Sequence, residues 1–244
     1  MAYSGGVDSS LLLRAAYVAH GDDALGLLAV TSMHPPAETA RALENAEAMG
    51  VRVEKVSLDP LINDDIRRNP QDRCYFCKRL IYSAFLDRLA SLGRPRNLMD
   101  GSNCDDLSDV RPGRRAIAEL SVKTPLVAVG LDKKSVRLVA REQGLSVWDQ
   151  PSSSCLATRI VTGFELTRSR LEKVARAEAA LTSVGFAHTR LRLFHPENNF
   201  IGVELAKDDL ERFISLDLRS KIKEALAGMG FGRIFIEIDG RFKP

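Results

Sequence analysis

The 244-residue sequence has no apolar run approaching the roughly 18 residues that a membrane-spanning helix needs. It does not open on a basic stretch followed by an apolar core, so no secretory signal is expected. It holds no internal repeat and no low-complexity segment. Neither charge dominates: 35 Lys and Arg against 32 Asp and Glu leave a formal +3, too little to argue for a polyanionic partner. Cysteine is scarce, at four residues. Without an export signal, those four point to the reducing cytoplasm, where thiols are catalytic, metal-binding or inert rather than bridged. What remains is an ordinary soluble composition, 45% hydrophobic and 27% charged, long enough for one large or two small domains.

The most informative stretch comes first. Ser4-Gly5-Gly6-Val7-Asp8-Ser9-Ser10 is a glycine turn running straight into the helix-forming Leu11-Leu12-Leu13-Arg14-Ala15-Ala16. Adjacent glycines let backbone turn sharply and approach a ligand closely. The helix that follows points its free N–H groups and positive dipole end back at the turn. Together with the hydroxyls of Ser4, Ser9 and Ser10, this makes an anion site built largely from backbone. Asp8 would repel a polyphosphate unless a divalent cation lies between them, so it is the candidate Mg²⁺ ligand. The bland alternative is a serine-glycine helix cap with no ligand. No lysine closes the loop, which separates it from the Gly-x-x-x-x-Gly-Lys-Ser/Thr pattern. The run resembles the PP-loop of ATP pyrophosphatases, which split ATP between its α- and β-phosphates and adenylate a substrate oxygen. Such a loop normally follows a buried strand, and only Met1-Ala2-Tyr3 stand before it. The expectation is a truncated first strand, short and poorly anchored.

Leu25–Thr31 has the length of a buried strand, Pro35-Pro36 breaks it, Ala37–Met49 reads as a helix, and Val51–Leu58 as a second strand. That alternation predicts an α/β fold, a parallel sheet flanked by helices. Ligands of such sheets lie beyond the carboxyl ends of the strands, which sets the Ser4 loop and Thr31-Ser32 on one rim where adenine can lie. Cys74-x-x-Cys77 opens a helix from Asp72 to Leu92. With no second such pair nearby, two half-buried thiols are the expected reading, while Arg73, Lys78 and Arg79 can face an anionic substrate. Asn97–Leu107 reads as a short strand ending in an acidic turn. Asp100, Asp105 and Asp106 would repel one another there unless a cation or basic group joins them. At the end of a parallel strand the turn is expected to face the nucleotide rim, which makes Asp105 and Asp106 candidate nucleotide-binding residues; an Asx-rich surface turn is the alternative. Further on, a short helix covers Ala116–Leu120, and Asp132 N-caps a helix over Lys133–Gln143. A hinge is expected at Trp148–Pro151. Beyond it come a helix over Thr167–Val184, strands over Thr189–Phe194 and Phe200–Ala206, a helix over Asp208–Ala227 and a last strand over Arg233–Ile238. The two parts are read as domains 1–148 and 149–244, the second a small α+β unit.

Cys155 follows three serines and stands four residues before Arg159. A nearby cation and free backbone N–H groups stabilise a thiolate; a buried, inert thiol is the alternative. The loop Ser4–Ser10 is followed in order by Arg73-Cys74-Tyr75-x-Cys77-Lys78 and by Asp100-Gly101-Ser102-Asn103-x-Asp105-Asp106-Leu107. Then come Arg111-Pro112-Gly113, Trp148-Asp149-x-Pro151 and Cys155-Leu156-Ala157-x-Arg159. Together these are similar to the ATP-dependent sacrificial sulfur transferases that make the nickel-pincer nucleotide cofactor of lactate racemase. The resemblance spans nearly the whole chain. It implies that ATP, with Mg²⁺ at Asp8, adenylates a carboxylate of pyridinium-3,5-biscarboxylate mononucleotide. It also implies that Cys155 gives up its sulfur to form a thiocarboxylate. Some relatives use a [4Fe-4S] cluster instead, which is not favoured with no other cysteine near Cys155.

The resemblance further implies that Arg190 and Arg192, on one face of a strand, grip the substrate phosphate; their spacing alone fits a solvated strand face almost as well. Arg159 would recognise phosphate or the charge of the acyl-adenylate. Glu178 and Glu204 are weaker candidates for substrate or metal contacts. The resemblance also implies a homo-oligomer such as a hexamer. A tRNA-thiolating PP-loop enzyme is the first competing reading, but no RNA-binding module or basic tail is visible and no nucleic-acid partner is expected. An amidotransferase lacks its glutaminase here. A non-catalytic nucleotide-binding module leaves Asp8, Asp105, Cys155 and Arg159 unexplained.

Overall fold

The computed structural model describes residues 1–94, 97–108, 112–151, 154–186 and 189–238. Arg111, Ser152 and Ser153 of the motifs above lie outside the described residues. The chain divides into two compact units, residues 1–66 with 71–153, and residues 67–70 with 154–244.

The first unit is α/β. Strands Ala2–Tyr3 (β1), Gly26–Val30 (β2) and Val53–Ser57 (β3) form a parallel sheet in the order β1-β2-β3. Helices Val7–His20 (α1), Pro36–Ala48 (α2), Asp64–Arg67 (α3), Arg73–Ser91 (α4), Gly113–Glu119 (α5), Pro125–Ala128 (α6) and Lys133–Glu142 (α7) follow in chain order. Successive strand residues point to opposite faces of a sheet, and here each face has its own apolar layer. Tyr3 and Leu28 join Val7, Leu11 and Leu12 of α1, Ala42 and Ala46 of α2 and Val136 and Ala140 of α7. Ala2 and Leu27 join Tyr82, Phe85 and Leu89 of α4 and Ile117 of α5 on the other side. A parallel sheet covered on both faces explains why β2 reads as a continuous apolar run.

The first strand is as short as expected but is not poorly anchored. Tyr3 is 3% exposed. The Ala2 N–H donates to the Met99 carbonyl (2.8 Å), the Leu27 N–H donates to the Met1 carbonyl (2.8 Å), and the Tyr3 hydroxyl donates to the Ala42 carbonyl (2.8 Å). The segment around Met99 therefore lies along the free edge of β1. It forms a single parallel bridge to Lys123 in place of the expected strand.

In the second unit, Arg190–His195 (β4) and Phe200–Glu204 (β5) pair antiparallel, and Ile234–Ile236 (β6) runs parallel to β5. Arg168–Ser183 (α8) buries Leu171, Val174, Ala177 and Leu181, one stripe at helical spacing. The single helix expected over 208–227 is broken. Leu210–Ile214 (α9) stops at Ser215 (φ −56°, ψ 141°), and Leu216–Gly228 (α10) restarts there. The Ser215 hydroxyl donates to the Arg212 carbonyl (2.8 Å), the local hydrogen bond by which serine competes with a continuing helix. Among the described residues no helix is long and apolar enough to cross a membrane.

Candidate functional site

The chain leaves β1 at Tyr3, turns through Ser4, Gly5 and Gly6, and enters α1. Gly5 has φ +79°, and a Cβ placed on it would stand 2.6 Å from the Ala42 Cβ and 3.0 Å from the Ala42 Cα. Both the backbone conformation and the space demand glycine. Gly6 caps α1 with no side-chain hydrogen bond, so the cap spends no hydroxyl or carboxylate on the first-turn N–H groups. Ser9 braces the turn: its hydroxyl accepts from the Ser4 N–H (3.2 Å), donates to the Gly6 carbonyl (3.0 Å) and lies 3.1 Å from the Ser4 hydroxyl. Ser10, expected to add a donor to the loop, is fully buried. Gly5→Ala should cost about 2 kcal/mol or more, from left-handed backbone strain and overpacking against Ala42. Thermal unfolding checks this, and an unchanged midpoint would contradict the cradle geometry.

Asp8 sits in the first turn of α1 and is held from two sides. Its Oδ1 accepts from Asn103 Nδ2 (2.8 Å), and its Oδ2 is paired with Lys133 Nζ. The acidic turn packs directly on this helix start. A Cβ on Gly101 would stand 2.9 Å from the Ser9 nitrogen. The anticipated repulsion within the turn is resolved group by group. Asp105 Oδ2 accepts from the Lys133 N–H (3.1 Å) and Asp106 Oδ2 from the Asn103 N–H (3.0 Å). Asp100 accepts from Lys78 Nζ (3.2 Å), from the Ser102 N–H (2.8 Å) and from the hydroxyls of Ser102 and Tyr82. Burial would push the Asp100 carboxyl up, but the Lys78 charge and these hydrogen bonds together hold it below the usual carboxylate range. Lys133 escaped the sequence reading, where it was only the start of a helix. The spacing of 125 residues between it and Asp8 carries no local signal.

At the carboxyl end of β2, Thr31 is buried. Its hydroxyl accepts from the Met33 N–H (3.1 Å) and lies 3.0 Å from His34 Nδ1; the Ser32 hydroxyl donates to Asp59 (3.3 Å). Burial lowers the His34 pKa, with Glu38 opposing, so the ring favours its neutral form. Arg73 is buried at the start of α4. Lys78 is committed to Asp100 and lies 5.2 Å from the Tyr82 ring centroid. Of the two thiols expected to be half-buried, Cys77 is, whereas Cys74 is exposed, since it faces outward from the first turn of α4.

In the second unit, Cys155 is half-buried and caps a 3-10 turn, Leu156–Arg159. Its carbonyl accepts from the Thr158 N–H (2.9 Å) and the Thr158 hydroxyl (2.8 Å). Arg159 is buried beneath this turn. It grips Glu178 with both arms, Nε to Oε1 at 2.7 Å and Nη2 to Oε2 at 3.3 Å, while Nη1 donates to the hydroxyls of Ser154 (2.5 Å) and Thr158 (2.9 Å). Glu178 Oε1 also accepts from the Leu191 N–H (2.9 Å), tying the pair to β4. Arg159 and Glu178 thus shape the turn that carries Cys155. Arg190 and Arg192 share the outward face of β4, opposite the fully buried Leu191 and Leu193. Arg192 pairs with Glu204 and donates to the Thr158 carbonyl (2.9 Å), which brings this one of the two expected substrate arginines to the same turn.

No family model matches the chain. It is 32% identical over 240 residues to an uncharacterized protein of Synechocystis sp., covering 98% of this chain and 88% of the other. It is 31% identical over 241 residues to the pyridinium-3,5-bisthiocarboxylic acid mononucleotide synthase of Lactiplantibacillus plantarum, covering 98% and 85%. An uncharacterized protein of Methanocaldococcus jannaschii is 26% identical over 239 residues. With a named relative above 30% identity along nearly its full length, the chain belongs to the family of the pyridinium-3,5-bisthiocarboxylic acid mononucleotide synthase.

Proposed function

We propose that this protein is an ATP-dependent sulfur transferase of nickel-pincer cofactor synthesis, with a PP-loop adenylation domain at 1–148 and a sulfur-transfer domain at 149–244. The named product of its relative is a bis-thiocarboxylic acid, so the corresponding substrate is pyridinium-3,5-biscarboxylate mononucleotide. The observation that carries the reading is the Ser4–Gly6 cradle, where a positive-φ glycine and a helix start without a side-chain cap fit the polyphosphate of ATP. Asp8, in the first turn of the same helix, is the residue that would hold Mg²⁺, which would neutralise phosphate charge when bound.

A carboxylate is a poor electrophile. In the proposed reaction its oxygen attacks the α-phosphorus of ATP, pyrophosphate leaves, and the carboxyl carbon becomes an acyl-adenylate. The Cys155 thiolate then attacks that carbon and AMP departs, leaving a thioester. Removal of the Cys155 Cα proton breaks the Cβ–S bond, with the electron pair going to sulfur. The products are a thiocarboxylate and dehydroalanine at position 155. The α1 N–H groups hold phosphate oxygens, Arg190 and Arg192 hold the mononucleotide, and Arg159 with Glu178 fixes the turn that presents the thiol.

Asp8→Ala tests the adenylation half. Mononucleotide-dependent pyrophosphate release should fall by at least about 100-fold, as for loss of a principal charge-stabilising group at a phosphate site. The far-ultraviolet spectrum should be retained. Unchanged pyrophosphate release would sink the assignment of the Ser4–Ser10 loop.

A further inference from the structure

We propose that Asn69 is a positioning residue for sulfur transfer: it fastens a short strap, bonded at both ends to the adenylation unit, to the segment that leaves the Cys155 turn. The inference rests on the sulfur-transfer reading above and concerns how the thiol is held for that step. Residues 67–70 group with the second unit, while residues 66 and 71 on either side belong to the first. The chain therefore passes between the units three times, twice around this strap and once at 153–154. Asn69 is fully buried and has φ +56°, a left-handed conformation that asparagine tolerates better than most residues. Its Nδ2 donates to the Val161 carbonyl (2.9 Å) and to the Ile160 carbonyl (3.3 Å), the two residues directly after Arg159. The strap backbone adds two more bonds. The Asn69 carbonyl accepts from the Gly163 N–H (2.9 Å), and the Arg67 carbonyl accepts from the Leu166 N–H (2.7 Å).

The same segment is also bonded to β4. Ile160 bridges Leu193, and the Val161 N–H donates to the Leu193 carbonyl (3.2 Å). Residues 160–166 are thus tied both to the strand that carries Arg190 and Arg192 and to the strap. The strap's own ends are fixed in the adenylation unit. Ile66, just before it, is fully buried. Gln71 and Asp72, just after it, lead into α4, whose Tyr82, Phe85 and Leu89 share an apolar layer with Ala2 and Leu27 of the parallel sheet. A single flexible linker would leave the thiol to search a large volume, whereas a strap tied at both ends confines it. Both amide hydrogens of Asn69 go to this one segment, and without them two carbonyls beside the Cys155 turn lose a donor. Attack on an acyl carbon needs the sulfur within about 3–3.5 Å, so slack in the strap costs sulfur transfer. Adenylation uses the loop before α1 and does not draw on the strap.

Single-turnover assays on the full chain, with ATP, Mg²⁺ and the mononucleotide, test this by following the two half-reactions separately. Thiocarboxylate reads sulfur transfer. Hydroxylamine reads adenylation, because its nitrogen attacks the acyl carbon, AMP leaves and a hydroxamate forms without any thiol. Asn69→Gly keeps the positive φ but removes the side-chain clamp. Its thiocarboxylate rate should fall about 100-fold, the scale of a misplacement of about 1 Å, while hydroxamate stays within about twofold of wild type. Asn69→Asp keeps the shape but turns only acceptors toward two carbonyls, and should lose as much. A second variant covers the case in which Asn69→Gly unfolds. Inserting Gly-Gly between Pro70 and the exposed Gln71 leaves every Asn69 bond in place and slackens only the strap's tie to the first unit. It should keep the unfolding midpoint and still lose about tenfold or more in thiocarboxylate. A wild-type thiocarboxylate rate in either variant, or an equal loss of hydroxamate in the insertion variant, would overturn the role of Asn69. Wild-type protein that forms neither pyrophosphate nor hydroxamate would instead remove the sulfur-transfer reading itself.

Discussion

Cys155→Ser should make no thiocarboxylate at all while still releasing pyrophosphate when ATP and the mononucleotide are supplied. An acyl-adenylate needs a soft nucleophile, and a thiolate is the best that side chains offer near neutral pH. Serine has the same shape but carries no sulfur and is a far weaker nucleophile, so the reaction should stop after adenylation. Cys155 is also the cysteine whose surroundings suit the task. It caps a turn braced by Thr158 and Arg159, and Arg192 reaches the same turn through the Thr158 carbonyl. Cys74 is exposed on α4, and the Cys104 thiol faces the Val127 carbonyl at 4.0 Å. Product analysis by mass spectrometry, with pyrophosphate followed in parallel, reads both halves. Thiocarboxylate from Cys155→Ser would remove Cys155 from the chemistry.

Arg159→Met should be among the most destabilising single substitutions in the second unit. Arg159 and Glu178 have side chains only 8% and 15% exposed and share two hydrogen bonds. Removing the guanidinium strips the largely buried Glu178 carboxylate of its cation, while the Leu191 N–H still donates to it. Breaking a buried pair in this way costs about 3–5 kcal/mol. The expected fall in unfolding midpoint is roughly 10 °C or more. Glu178→Gln keeps an acceptor for both Arg159 and Leu191 and should cost less. A drop in stability below about 1 kcal/mol for Arg159→Met would place the pair with surface ion pairs and remove its role in shaping the Cys155 turn.

How much of this was legible from residue order depends on the range of the interaction. The parallel sheet followed from local signals: an apolar run at Leu25–Thr31, an alternating one at Val51–Leu58, and proline or glycine between elements. The two-glycine turn before α1 was equally plain, because adjacent glycines ahead of a helix-forming run mark a sharp turn, and Gly5 takes the positive φ (+79°) that favours glycine. The outward pairing of Arg190 and Arg192 came from strand alternation alone, and β4 has that alternation. Contacts between distant segments were not legible. Nothing near Tyr3 announces that Met99 completes the edge of β1, so a two-residue strand looked unanchored. Nothing near Asp8 announces Lys133, and nothing near Arg159 announces Glu178 on α8. The Ser215 break was missed because the surrounding residues favour helix, while a single serine hydroxyl bonded to Arg212 decides the local conformation.

The central claim is that the protein spends its own sulfur, and intact mass measured before and after a single turnover tests it most directly. Wild-type protein incubated with ATP, Mg²⁺ and the mononucleotide should lose about 34 Da, the mass of H₂S, as the thiolate-bearing Cys155 becomes dehydroalanine. Peptide mapping should place that loss at Cys155, and the Cys155→Ser variant should keep its mass. Protein that accumulates thiocarboxylate at unchanged mass, turning over repeatedly with added sulfide, would contradict the account.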